Sequence, residues 1–144
     1  MQNLKDLILE HLQNILNNEF FIVDIQLNEK NDTIRIFLDK YNGAISLNEC
    51  EHIHKQLLPV LDEVMDNFEL EVSSPGLTAP FKVWQQYYKN INEKVNIITA
   101  DNQQFRAQIL DADDKLVELK NLKTNEVDSY KYSQIKKATL ILDF

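Results

Sequence analysis

Cys50, His52 and His54 are the residues whose types and spacing come nearest to metal or nucleophilic chemistry. Cys50 and His54 are four apart and would share one helix face. A structural zinc site needs four ligands, and the only other histidine is His11. A nucleophilic pair also needs an orienting acid, and nothing in the spacing supplies one. Cys50 falls on an apolar stripe, where a buried, unreactive thiol is expected. Glu69 and Glu71 would project from one face of a strand, roughly 6.5–7 Å apart. Two carboxylates can hydrolyse a glycoside only when they flank a cleft, so this pair reads as a solvated face or as a dock for a basic partner. Asp111, Asp113 and Asp114 resemble the start of a calcium loop, but the loop's glycine is missing and Leu122 stands where its closing glutamate would be. A hairpin turn is the expectation there. Ser73 and Ser74 lack the G-x-S-x-G elbow of a serine nucleophile and suit turn and capping roles. Lys131, Lys136 and Lys137, with Tyr130 and Tyr132 nearby, could contribute a small basic and aromatic surface for RNA.

Local sequence patterns predict the elements that must position these residues. Leu4, Leu7, Ile8, Leu12, Ile15 and Leu16 follow the rhythm of one helix face. Two strands follow, one with Phe21, Val23, Ile25 and Leu27 on a single apolar face, the other with Ile34, Ile36 and Leu38. The link between them is short, so they pair antiparallel. Ser46 and Glu49 form a capping box for a second helix with the stripe Leu47, Cys50, Ile53, Leu57, Leu58 and Leu61. Pro59 should kink or stop that helix. Phe68, Leu70 and Val72 alternate with Glu69 and Glu71 in a third strand. The first half is therefore an α-β-β-α-β unit, two helices on a three-stranded sheet. Pro75-Gly76 suits the centre of a type II turn, with Gly76 at positive φ.

Beyond Pro80 the pattern changes. Five short strands are expected near 95–98, 105–110, 115–119, 126–130 and 138–142, with one tight helical turn at Ser133-Gln134-Ile135. Their spacing predicts a small β-barrel. The expected organisation is an acidic α+β domain over 1–80, a linker with a short helix over 81–91, and a barrel domain over 92–144.

The 144 residues carry a net charge of −8 and two glycines, Gly43 and Gly76. Phosphate-cradling loops require several closely spaced glycines, which excludes most nucleotide-dependent enzymes. Residues 1–82 hold six Lys and Arg against fourteen Asp and Glu, while residues 83–144 hold nine of each. An acidic half grips a phosphate backbone poorly and steers well towards a basic protein. No run of 18 apolar residues occurs, the start lacks the form of a secretory signal, and Cys50 is the single cysteine. A cytoplasmic location is expected.

The segment Glu69-Leu70-Glu71-Val72-Ser73-Ser74-Pro75-Gly76-Leu77 closely resembles the signature of the RimP family, the bacterial ribosome maturation factors. Phe21 to Leu27, Ile34 to Lys40 and the helix from Ser46 resemble the family's first domain. Phe105 to Leu119 and Ile135-Lys136-Lys137-Ala138-Thr139-Leu140 resemble its barrel. Two places depart from the pattern: Thr78 and Ala79 stand where an acid and an arginine are usual, and Ala107 stands where glycine is common.

The resemblance implies a KH-like first domain and an SH3/Sm-like second one. It implies binding to the immature small (30S) ribosomal subunit, near where a basic protein of the decoding region is installed. It also implies no catalysis and no cofactor. The expected partner-binding residues are Glu69, Glu71, Ser73, Ser74, Pro75, Gly76, Leu77, Lys136 and Lys137. Direct contact with 16S rRNA is a further candidate, and no membrane contact and a monomeric state complete the expectation. A stand-alone RNA-binding barrel protein and a small hydrolase using acidic residues are the competing readings.

Overall fold

The computed structural model describes residues 3–142. The chain folds as two compact units, residues 1–75 and 76–144.

The first unit begins with α1, Leu4–Ile15, capped by Asn3, whose side chain accepts from the Asp6 N–H at 2.8 Å. Strand β1, Phe20–Asn28, pairs antiparallel with β2, Thr33–Lys40. Helix α2, Leu47–Asp62, then crosses over to β3, Glu69–Ser73, which pairs parallel with β2. The sheet order is β1-β2-β3, so β3 forms an edge. Ile8 and Leu12 of α1 and Cys50, Ile53, Leu57 and Leu61 of α2 bury against Ile25, Ile34, Ile36, Leu38 and Leu70 of the sheet. The Ser46 capping box forms as its spacing predicts: Ser46 Oγ accepts from the Glu49 N–H at 3.1 Å, and Glu49 Oε1 accepts from the Ser46 N–H at 3.0 Å.

Three local expectations change in this unit. The β1 face does not alternate cleanly, because a bulge lies between Ile22 and Asp24. The extra residue reverses the alternation. Phe20 and Ile22 thus pack with Ile25 on the helical core, while Phe21, also buried, meets Tyr41 with ring centroids 4.9 Å apart. Helix α2 runs through Pro59 to Asp62 instead of stopping. A proline inside a helix costs about 3 kcal/mol, and the fully buried Leu57 and Leu61 on either side hold the last turn against the core. Leu47, read as part of the apolar stripe, is 82% exposed: it is the first helical residue and lies beyond the sheet's reach.

The second unit opens with α3, Trp84–Lys89. The buried Gln86 fastens its start, its Oε1 accepting from the N–H groups of Lys82 and Val83. Five antiparallel strands follow: β4 Lys94–Thr99, β5 Gln104–Ala112, β6 Leu116–Asn121, β7 Val127–Lys131 and β8 Ile135–Leu140. Their order is β7-β6-β5-β4-β8. Val95, Ile97, Ala107, Ile109, Val117, Leu119 and Ala138 form the core, which Tyr87 of α3 closes.

No pairing joins β7 to β8 among the described residues, so the ladder is open and not the closed barrel that strand spacing predicts. The connection nevertheless forces a curl. A flat sheet would hold its two edge strands roughly 19 Å apart. The chain passes from Lys131 to Ile135 through the single turn Tyr132–Gln134, a span of at most about 14 Å.

Besides Gly43, the left-handed backbone positions among the described residues fall on Asp32, Asn67, Asn92, Asn102 and Asn125, residue types that tolerate them. No helix among the described residues is long and apolar enough to cross a membrane.

Tyr87 sits between Phe81 and Tyr132, with centroids at 5.0 and 5.1 Å. Burial pushes its phenol up to about 12. The Tyr132 phenol is also raised, first by burial and then by Tyr87, and its hydroxyl donates to the Asp113 carbonyl at 2.6 Å. For such groups the folded chain holds the proton more tightly than the unfolded one. Their stability contribution is complete below the unfolded tyrosine value of about 10 and is lost as pH rises towards 12. Unfolding midpoints measured by circular dichroism should therefore fall between pH 10 and 12, and Tyr87→Phe should flatten that fall.

Candidate functional site

Strand β3 carries Glu69 and Glu71 on its exposed face, as the alternation predicts. The parallel register sets Arg35 beside Glu71, and Arg35 Nε donates to Glu71 Oε2 at 2.7 Å. Both side chains are about half exposed, at 56% and 52%, so the pair is worth under about 1 kcal/mol. Its main consequence is a neutralised Glu71. Glu69 lies opposite Thr33 and has no such partner among the described residues.

The edge continues an acidic strip. Between Lys55 and Lys82 there is no Lys or Arg, while Asp62, Glu63, Asp66, Glu69 and Glu71 fall in this stretch, all exposed. Asp62 ends α2 and Glu63 caps it, with no basic residue in its last turn. The C-terminal end of a helix already carries partial negative charge. Acids placed there cost stability and deepen the negative potential.

Behind the strip, His54 on α2 approaches the Leu70 carbonyl of β3, Nε2 lying 3.0 Å from the oxygen. The carbonyl accepts, so the proton sits on Nε2. His54 is a strut between helix and edge strand. Cys50 is buried, and its thiol is raised by desolvation and then by Glu49, the opposite of an activated nucleophile. His52 is exposed. Among the described residues no group of three His, Cys, Asp or Glu converges as a metal site would require. The Asp111–Asp114 segment is a hairpin turn, with Asp113 Oδ1 accepting the N–H groups of Lys115 and Leu116 at 2.8 Å each. Those bonds, Leu116 first, lower the Asp113 carboxyl.

Ser73 ends β3, and Ser74, Gly76 and Leu77 are exposed, Leu77 by 71%. The turn here falls two residues later than the dipeptide suggests. The Ala79 N–H donates to the Gly76 carbonyl at 3.0 Å, so Leu77 and Thr78 are its central residues. Gly76 does not take positive φ, and a Cβ there would meet nothing within 4 Å. Pro75 fixes its own φ, but the residue after it is free to stay in the ordinary region.

Lys136 and Lys137 part company. A β-bulge against Ile98 and Thr99 places Lys136 out of register. Its Nζ donates to Asn102 Oδ1 at 2.9 Å in the β4–β5 turn. Lys137 lies opposite Ile98 on the outer face of the sheet. Nor do Tyr130 and Tyr132 line a basic groove: Tyr132 is committed to backbone carbonyls. The Tyr130 phenol is raised by burial and by the acids Asp128, Asp101 and Glu126. Periodicity could not find Arg35, because its pairing to Glu71 depends on the parallel register.

Residues 8–78 match the family model of the RimP N-terminal domain. This region belongs to the RimP N-terminal domain family. A curated relative, the Ribosome maturation factor RimP of Christiangramia forsetii, is 34% identical over 103 residues. That stretch is 72% of this chain and 65% of the relative, so the match spans just under two thirds of the relative's length. The matched domain holds the acidic strip, Arg35, His54 and the segment through Leu77.

Backbone conformation sets the two glycines apart. Gly43 has φ +79°, so Gly43→Ala should cost about 1 kcal/mol or more. Gly76→Ala should change stability by less than that, in either direction. Urea denaturation of the two variants checks both values, and a stable Gly76→Ala protein isolates any contact made at this position.

Proposed function

We propose that the chain is a maturation factor for the small (30S) ribosomal subunit, acting by binding and not by catalysis. The observation that carries this reading is its similarity to a relative named as a ribosome maturation factor. The first unit holds five Lys and Arg against fourteen Asp and Glu, the second ten against nine. The acidic strip from Asp62 to Glu71 runs into the exposed segment Ser73–Leu77, a surface suited to a basic ribosomal protein. In this reading Glu69, Ser73, Ser74, Pro75, Gly76 and Leu77 touch that protein. Glu71 is held by Arg35 and contributes orientation more than charge. Lys136 and Lys137 belong to a second grip, on the particle's RNA.

The finer fold likenesses belong to the same proposal. The α-β-β-α-β order with a parallel edge strand supports a KH-like first unit. Five antiparallel strands, curled by a one-turn link between the last two, support an SH3/Sm-like second unit. The two units, with a joint near Ser73–Leu77, divide the work into a protein-facing and an RNA-facing part. A cytoplasmic monomer without a cofactor fits this role.

Deleting the gene should deplete mature small subunits on sucrose gradients and leave unprocessed 16S rRNA. A normal subunit profile with mature rRNA would refute the role. Binding to a basic small-subunit protein should weaken steeply from 50 to 500 mM salt, because exposed charge pairs are screened. Glu69→Lys should weaken it further at low salt than Glu71→Gln does, read by titration calorimetry.

A further inference from the structure

The second unit's sheet gathers cations that lie far apart in the sequence. Val95, Ile97, Ala107, Ile109, Val117, Leu119 and Ala138 point into the core. Strand side chains alternate, so Lys94 on β4, Arg106 on β5, Lys120 on β6 and Lys137 on β8 share the opposite, outer face. The registers bring them together. Lys94 stands opposite Gln108, and Gln108 opposite Lys120. Arg106 stands opposite Asn96. That makes both Lys94 and Lys120 diagonal neighbours of Arg106, at roughly 7–8 Å.

Among the described residues no ion pair within 4 Å involves these cations. The ion pairs Arg35–Glu71 and Lys40–Glu49 both lie in the first unit. The acids on this face, Asp111 and Glu118, stand opposite each other beyond the Gln108–Lys120 row. Lys94, Arg106 and Lys137 are exposed and Lys120 is half-buried. Like charges at diagonal distance repel, so the cluster costs folding energy that a bound polyanion would return.

We infer that this outer face binds an RNA sugar–phosphate backbone. The chemistry favours a backbone over bases. Four cations spread over four strands match a run of phosphates, with the Asn96 amide between them as a further donor to phosphate oxygens. The aromatics on which bases would stack are elsewhere: Phe105 and Tyr130 pack against the core. Recognition is therefore indifferent to sequence and strongly dependent on salt. The inference rests on the reading of the chain as a factor that works on a ribonucleoprotein particle, and it assigns the RNA contact to one surface.

The test uses the full chain and a 20-base-pair RNA duplex of arbitrary sequence, in a gel-shift or filter assay from 50 to 300 mM salt. Each phosphate contact contributes a slope of about −0.7 to −0.9 in log affinity against log salt. Four contacts should give roughly −3 to −3.5. Lys94→Gln, Arg106→Gln, Lys120→Gln and Lys137→Gln combined should abolish most of the slope and weaken binding at least tenfold. The neutral substitutions relieve repulsion, so the variant should keep its circular dichroism and melting temperature. Lys5→Gln with Lys55→Gln in the first unit should change nothing. Three results would overturn the inference: no duplex binding at 50 mM salt, an unchanged slope in the fourfold variant, or displacement of the duplex by poly-glutamate at equal charge concentration. The last would mean that the face takes acidic polypeptides. Failure here with a depleted small-subunit pool in the deletion strain would leave the maturation role standing, so the two failures are distinguishable.

Discussion

A parallel strand pair cannot be closed by a tight turn, and in the first unit α2 is the crossover that makes one possible. The fully buried Leu57 and Leu61 press against Ile34, Ile36 and Leu38 of β2. That burial pins the helix across the sheet, carries it through Pro59, and delivers the chain to β3 beside β2. Removing a fully buried leucine from such a core costs about 2–5 kcal/mol, more than the proline penalty and far more than the exposed Arg35–Glu71 pair. Once β3 lies at the edge, Glu69 and Glu71 must face solvent, and the chain must emerge at Ser73 with its next residues exposed. Hydrophobic packing thus decides where these two carboxylates point.

The second unit works by a different constraint. Its inner face is filled by aliphatic and aromatic groups, with Tyr87 of α3 wedged between Phe81 and Tyr132. The link between β7 and β8 is too short for a flat sheet, so the strands curl around that core. Curling leaves a convex outer face, and the alternation of each strand decides which charges it receives. Ala107, fully buried between Val95 and Asn121 in the ladder, shows how little room the inside has.

Local determinants were legible in the sequence, and partner-dependent ones were not. The Ser46–Glu49 box, the α1 stripe and the Asp113 turn depend on residues a few positions apart, so spacing alone reveals them. The β1 bulge does not show in the sequence: Phe21, Val23, Ile25 and Leu27 alternate cleanly, and only the pairing with β2 inserts the extra residue. The same holds at Lys136 and Lys137, adjacent in sequence and separated by a bulge set against β4. Gly76 misled for another reason. A Pro-Gly dipeptide fits a type II turn, yet the bond forms from Ala79 to Gly76, and the glycine's freedom goes unused by the backbone. The Glu69–Glu71 face was readable from alternation, whereas the Arg35 bond that neutralises half of it was not.

Charge is distributed against stability in both units. In the first, acids crowd the negative end of α2, where lysine or arginine would stabilise. In the second, Arg106 has two cationic diagonal neighbours and no acid within ion-pair reach among the described residues. Each arrangement costs a few tenths of a kcal/mol per contact in water, where screening is strong. Domains this small, about 70 residues each, have little stability to spare. In the proposed role, the acidic excess of the first unit would face a basic partner and the cation cluster of the second an anionic one. A nascent ribonucleoprotein particle offers both, and a chain that grips protein with one unit and phosphate with the other would recognise the place where they adjoin.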